Sequence, residues 1–290
     1  MGAAAMGAGT MKVYLSVDME GVTGLTDPEE MHAGKRGYDR GCELMTADAN
    51  AAVEGAFAAG AGTVLVNDAH GSTKNLRIDL LDPRATLIRG PGKAQRMAQG
   101  VDGSFQAAGF VGYHARAGVP HGVLNHTWMG KEIQNVYLNG EVCGETRLVA
   151  ACAGFHGVPV VLVTGDEAVG EEARELLGDV ETVAVKKGID KFSAELLPPS
   201  VAQGRIREGM VRALNRLTDF TPYRLAPPYT LGVEWNSTAI AAAVALVPGV
   251  KTAGARHIEF TTDDFTQIMA LLGIFATIGG QVACGSGPYG

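Results

Sequence analysis

Three stretches of this 290-residue chain end in side chains that could do chemistry. Ser16-Val17-Asp18-Met19-Glu20-Gly21, Asn67-Asp68-Ala69-His70-Gly71 and Gly112-Tyr113-His114-Ala115 each close a short β-rich run. Ligands of an open parallel sheet bind outside the carboxyl ends of its strands. Three such strands would therefore deliver Asp18, Glu20, His70 and His114 to one edge. Two carboxylates at a strand end are costly unless something neutralises them. Oxygen and imidazole donors together suit a divalent ion of the zinc class, and a carboxylate with two oxygens could bridge a pair of ions. Each residue also has a plainer reading, since a D-x-E after a strand is often an exposed turn and a lone histidine often a satisfied core residue. The repeated strand-end placement is what joins these four. His32, His156 and His257 lack that placement and read as structural, and Gly90-Pro91-Gly92-Lys93 lacks the second spacing element of a phosphate loop.

The elements that must position these side chains follow from the pattern around them. Residues 12–18 read as strand, 38–60 as a long alanine-rich helix closed by glycine, and 63–67 as strand again. One such βαβ unit forces parallel pairing and a right-handed crossover. Residues 85–88, 106–112 and 158–164 also read as strands, and 145–154 and 171–177 as helices. This alternation predicts an α/β fold with a mainly parallel sheet in three layers. Residues 133–142 carry Asn139-Gly140 between two alternating apolar runs, which predicts an inserted antiparallel hairpin. After Leu217, prolines at 222, 227 and 228 mark a connector. Strands over 229–234 and 256–261 and helices over 237–246 and 263–278 then make a smaller C-terminal α/β part. The expected division is a disordered extension over residues 1–10, a metal-binding α/β catalytic domain over 11–221 and the C-terminal part over 222–290.

Composition narrows the function classes. Lys and Arg number 24 against 31 Asp and Glu, a net charge of -7, and affinity for polyanions needs clustered basic groups, so no nucleic-acid partner is expected. Four scattered cysteines, Cys42, Cys143, Cys152 and Cys284, form no C-x-x-C pair, and no secretory apolar segment opens the chain, which predicts a reduced, cytoplasmic setting. The longest apolar run, over 269–282, is interrupted by glycines and falls short of the roughly 18 uncharged residues of a spanning helix, so no membrane partner is expected.

Five motifs in order, SVDMEG, VNDAH, GYHARAG, Leu124-Asn125-His126 and NGEVCGE, resemble the zinc-dependent D-aminopeptidase family from Lys12 to about Gly165, with weaker likeness beyond. The resemblance implies two Zn²⁺ ions per chain, bridged by Asp18 and held further by Glu20, His70, His114 and Glu145. From the residues alone, Glu145 at a helix start is equally a partner of the helix dipole. The resemblance also makes His126 the catalytic histidine, one that is not a metal ligand; its plainer role is packing beside Trp128. The 118–122 loop carries one residue more than the family pattern and a further histidine, His121, a rival for the same place.

The implied activity is hydrolysis of short peptides that begin with a D-residue, by water activated at the two ions, with His126 moving a proton or stabilising the oxyanion. The implied assembly is a ring-stacked homodecamer that encloses its sites and admits only small peptides. Two other readings stand beside it. One is a Mg²⁺ phosphohydrolase of the haloacid-dehalogenase type, which also places an Asp-x-acid pair after its first strand; here the second acid is Glu, no downstream motif fits, and imidazoles favour zinc over magnesium. The other is a non-catalytic, metal-stabilised scaffold or peptide-binding protein.

Overall fold

Strand β1 (Lys12–Val17) sends Val13, Leu15 and Val17 to one side and Tyr14 and Ser16 to the other, and both sides are buried, as the middle strand of a parallel sheet requires. The computed structural model describes residues 10–285, so all but Thr10 of the extension expected over residues 1–10 lies outside the described residues. After β1 come α1 (Tyr38–Ala58), β2 (Thr63–Asp68), β3 (Ala85–Ile88), β4 (Ala107–Tyr113), the hairpin β5 (Ile133–Leu138) and β6 (Glu141–Cys143), and α2 (Glu145–Phe155). The chain continues through β7 (Val160–Asp166), α3 (Glu167–Leu177), β8 (Glu181–Asp190), β9 (Ser193–Leu196) and α4 (Pro199–Asn215). It closes with β10 (Tyr229–Trp235), α5 (Thr238–Val244), β11 (Lys251–Thr252), β12 (His257–Thr262) and α6 (Phe265–Gly285).

The main sheet runs β3-β2-β1-β4-β7-β8-β9 and is parallel from β3 to β8, with β9 antiparallel at its edge. Helices α1 and α4 cover one face; α2 and α3 cover the other, which gives the three layers expected. The chain moves outward from β1 through β2 to β3, then returns to the other side of β1 with β4. The strand order therefore reverses between β1 and β4, and such a switch point opens a crevice at the carboxyl ends of the strands. The two strands touch closely there. A Cβ on Gly21 would fall 1.8 Å from the Tyr113 carbonyl oxygen, and one on Gly112, at φ +69°, would fall 2.4 Å from that of Asp18. Only glycine fits either position.

A second sheet, β11-β12-β10-β5-β6, is antiparallel throughout. The hairpin expected at Asn139-Gly140 is present, with φ +54° and +82° at those residues, the left-handed pair of a type I′ turn. Strand β10 pairs with β5, so this sheet draws strands from both sides of the proline connector at 222–228. Four elements add to those expected: β8, β9, α4 and the short strand β11. Strands β8 and β9 form an edge hairpin, and α4 packs Ala202, Ile206, Met210 and Ala213 against α1 and the sheet at helical spacing.

Residues 269–282 need a correction. Their glycines do not interrupt a helix; α6 runs unbroken over Phe265–Gly285, and by length and composition it is long and apolar enough to cross a membrane. Phe265, Ile268, Met269, Leu272 and Phe275 bury one face of it in the core shared with the second sheet and α5, while Ile274 stays 45% exposed on the other.

Candidate metal centre

All six residues singled out for the site meet at the switch point. Asp18 and Glu20 follow β1, His70 follows β2, His114 follows β4, and Glu145 is the first residue of α2, brought in by the β5–β6 hairpin. His126 arrives on the loop between β4 and β5. The two oxygens of Asp18 point to different neighbours. Oδ1 lies 3.4 Å from His70 Nδ1, which is also 3.0 Å from Glu20 Oε2. Oδ2 lies 3.5 Å from His114 Nε2, which is also 3.4 Å from Glu145 Oε2. Asp18 is thus shared by two potential ligand sets, Asp18-Glu20-His70 and Asp18-His114-Glu145. A third grouping, Glu20-His114-His126, overlaps them, with His126 Nε2 3.8 Å from Glu20 Oε1 and 4.0 Å from Glu145 Oε1.

Each of the three imidazoles turns its outer nitrogen to a backbone carbonyl. His70 Nε2–H donates to Met31 O at 3.2 Å, His114 Nδ1–H to Ala115 O at 3.0 Å, and His126 Nδ1–H to Leu124 O at 2.8 Å. Those bonds assign the tautomer, so that a neutral ring presents its other nitrogen inward as a lone pair. The His114 and His126 rings stack with centroids 4.3 Å apart and an interplanar angle of 7°.

The loops that carry these groups are braced by buried polar side chains. The Lys186 ammonium donates to the carbonyls of Glu20, Val22 and Leu25, pinning the turn after β1. The Asp68 carboxylate accepts from the Asn75 and Leu76 backbone N–H groups, and the Asn75 amide donates to both Asp68 Oδ1 and the His70 carbonyl. Asn75→Ala would leave two buried acceptors short of a donor, at about 1–3 kcal/mol each at most. It should lower unfolding stability by at least about 1 kcal/mol in a denaturant titration; no change in midpoint would show that water replaces the amide. Lys93, at the end of the Gly90-Pro91-Gly92-Lys93 run, turns inward and donates to Asn67 Oδ1 at 2.8 Å and to the Asp68 carbonyl.

Electrostatics set the demand at the centre. Asp18, Glu20, Glu145 and His114 are no more than 5% exposed. Burial pushes the Asp18 carboxyl up to about 7, and the Glu20 charge adds to the rise. Burial acts the same way on Glu20 and Glu145, but the His70 imidazole beside the first and His114 beside the second outweigh it and hold both below the usual carboxylate range. For His70 and His114 burial acts downward, and the facing carboxylates outweigh it and raise both. His126 is lowered by burial and by His114. Three carboxylates in so dry a volume carry a desolvation penalty of several kcal/mol each unless cations compensate. Asp18 Oδ2 and His114 Nε2 carry the test of fit. Both are buried, they face each other, and neither has a hydrogen-bond partner among the described residues. An oxygen and an imidazole lone pair so opposed fit a divalent ion of the zinc class.

The centre opens on a cavity of about 800 Å³ whose lining includes Asp18, Glu20, His70, His126 and Glu145. Of the rival histidines, His126 lines the cavity; His121 does not, being exposed with its Nδ1–H donating to Ile189 O at 2.8 Å. His32, read as structural, does reach the cavity lining, whereas His257 lies on the second sheet against Tyr137. Sequence reasoning missed the Trp128 backbone N–H, which donates to Glu145 Oε1 at 2.6 Å from a residue at φ +67°. No local signal marks such a left-handed tryptophan. It also missed the contribution of Arg96 and of Gly273, Ala276 and Thr277 of α6 to the cavity lining.

Comparison with known proteins bears on this geometry. A family model described as D-aminopeptidase, peptidase family M55, matches residues 11–274. A D-aminopeptidase of Bacillus subtilis (strain 168) is 39% identical over 261 residues, covering 89% of this chain and 93% of that protein. The solved structure titled Zn-dependent D-aminopeptidase DppA from Bacillus subtilis, a self-compartmentalizing protease, is similar with a TM-score of 0.90 at 35% identity, over 93% of this chain and 98% of that one.

Proposed function

Because the chain belongs to the D-aminopeptidase family, we propose that it is a zinc metallopeptidase that removes an N-terminal D-residue from short peptides, with two zinc ions per chain. The observation that carries this reading is the division of Asp18 between two sets. Asp18, Glu20 and His70 would hold one ion, and Asp18, His114 and Glu145 the other. When bound, zinc lowers the pKa of a coordinated water to about 7 and polarises the scissile carbonyl. His126 serves as the proton carrier. Its Nδ1–H is tied to the Leu124 carbonyl, so Nε2 is free to accept a proton from the attacking water and return it to the leaving amine. Stacking on His114 fixes the plane of that ring.

A cavity of about 800 Å³ suits a short peptide better than a folded chain. The names of the relatives support zinc and the D-residue preference. The self-compartmentalizing relative, together with the exposed apolar side of α6, supports a homo-oligomer, and a ring-stacked decamer is the form expected by light scattering. The family match favours neither the magnesium phosphohydrolase nor the non-catalytic scaffold.

Metal analysis with a peptide panel tests the proposal. The purified protein should carry close to two zinc ions per chain and hydrolyse D-Ala-D-Ala well ahead of L-Ala-L-Ala. Chelation should abolish the activity and added zinc restore it. Full activity in metal-free protein, or hydrolysis of phosphate esters instead, would sink the reading.

A further inference from the structure

Arg96 lines the same cavity as the carboxylates of Asp18, Glu20 and Glu145. It sits at φ +48°, a left-handed conformation that a non-glycine residue seldom adopts without outside support. The support is visible. The carbonyl of the next residue, Met97, accepts from Tyr14 Oη at 3.0 Å, Ser16 Oγ at 2.8 Å and Asn67 Nδ2 at 2.8 Å, and the Arg96 carbonyl accepts from Asn67 Nδ2 at 3.2 Å. Tyr14, Ser16 and Asn67 belong to β1 and β2, the strands that end in Asp18, Glu20 and His70. The same rigid sheet therefore holds the metal centre and the turn that presents Arg96.

The side chain is seated as deliberately as the backbone. It lies against Gly273 of α6, where a Cβ would come within 2.0 Å of Arg96 Nε and 2.6 Å of Cζ and Nη2. A glycine inside a helix costs up to about 1 kcal/mol relative to alanine, and here its lack of a side chain is what admits the guanidinium. Among the described residues, no carboxylate lies within ion-pair distance of Arg96. The cavity's other cations are placed differently: Lys131 is exposed, and the Lys191 ammonium stands 5.9 Å over the Phe192 ring.

A planar fork of donors, unpaired and held in a cavity, fits an oxyanion taken by two parallel hydrogen bonds, and on a peptide that oxyanion is a carboxylate. We infer that Arg96 binds the free C-terminal carboxylate of a short peptide whose scissile bond lies at the metal centre, and so selects short peptides with a free acid end. The inference rests on the peptidase reading for the identity of the ligand. It adds that the far end of the substrate is recognised by charge.

The test measures binding, so that it can be read apart from turnover. The probe is D-alanyl-D-alanine with a methylene in place of the peptide carbonyl, as the free acid and as the C-terminal amide, titrated calorimetrically into zinc-supplemented protein. The wild type should bind the acid on the order of 10- to 100-fold tighter than the amide. Arg96→Ala should lose that preference while its affinity for the amide changes by less than about threefold. Gly273→Ala should lose most of it as well, because the new methyl displaces the guanidinium without removing a charge; unchanged unfolding would show that the helix is intact. Equal binding of acid and amide by the wild type, or an acid preference that survives in Arg96→Ala, would overturn the assignment. Failure to cleave D-peptides with the acid preference intact would count against the peptidase reading and leave the carboxylate site standing.

Discussion

Asp18→Ala should leave the protein with at most one zinc ion per chain and bring D-peptide hydrolysis to background. Asp18 is the residue common to both ligand sets, its Oδ1 facing His70 and its Oδ2 facing His114. Even an outer partner of a metal ligand typically costs about 10- to 100-fold in metal affinity or activity when removed, so loss of the shared carboxylate should exceed that range. The single-set variants supply the contrast. His70→Ala and His114→Ala should each give up one ion, whereas His257→Ala, on the second sheet, should keep both and full activity. Elemental analysis of the four variants decides the matter. Equal metal content in all of them would remove the strand-end residues from the site.

His126→Ala should separate chemistry from metal binding. A positioned proton carrier contributes about 10²- to 10⁴-fold to rate, and one that is no ligand leaves the ions in place when removed. The variant should keep both zinc ions and its fold while kcat falls at least about a hundredfold. His121→Ala should stay within a few-fold of wild type, because that ring is exposed and bound to the Ile189 carbonyl outside the cavity. Loss of an ion in His126→Ala would instead make His126 a ligand of the overlapping Glu20-His114-His126 grouping. Fast turnover in both variants would show that the proton moves without a histidine.

How much of this was legible before the fold depended on where each residue sits. Asp18, Glu20, His70 and His114 could be read because they follow short apolar strands, and a parallel sheet delivers its strand ends to one edge. Glu145 and His126 could not, since one is brought in by a hairpin and the other by a loop with left-handed residues at His121, Leu124 and Trp128. Resemblance supplied those two where periodicity had nothing to offer. Local pattern also found the proline connector and the strand after it, yet gave no hint that β10 would pair with β5, about ninety residues earlier. Pairing of that kind is a property of the whole chain. The apolar spacing of α4 was there to be read, as Ala202, Ile206 and Met210 recur every four residues. In α6 the glycines misled: Gly279 packs against Trp235 and Gly273 against Arg96, contacts that a sequence does not display.

The pairing of β10 with β5 has a consequence for how the protein is made. Domains generally fold as units while the chain emerges N-terminus first, and by the time Glu145 has left the ribosome, Asp18, Glu20, His70 and His114 are already out. The hairpin that carries Glu145 still lacks its neighbouring strand, and Gly273, Ala276 and Thr277, which close the cavity, belong to the last element described. A nascent chain should therefore collect ligands for metal early and become able to enclose a peptide only near the end of synthesis. Premature termination between α2 and α6 should yield a product with all of its proposed metal ligands and no substrate chamber.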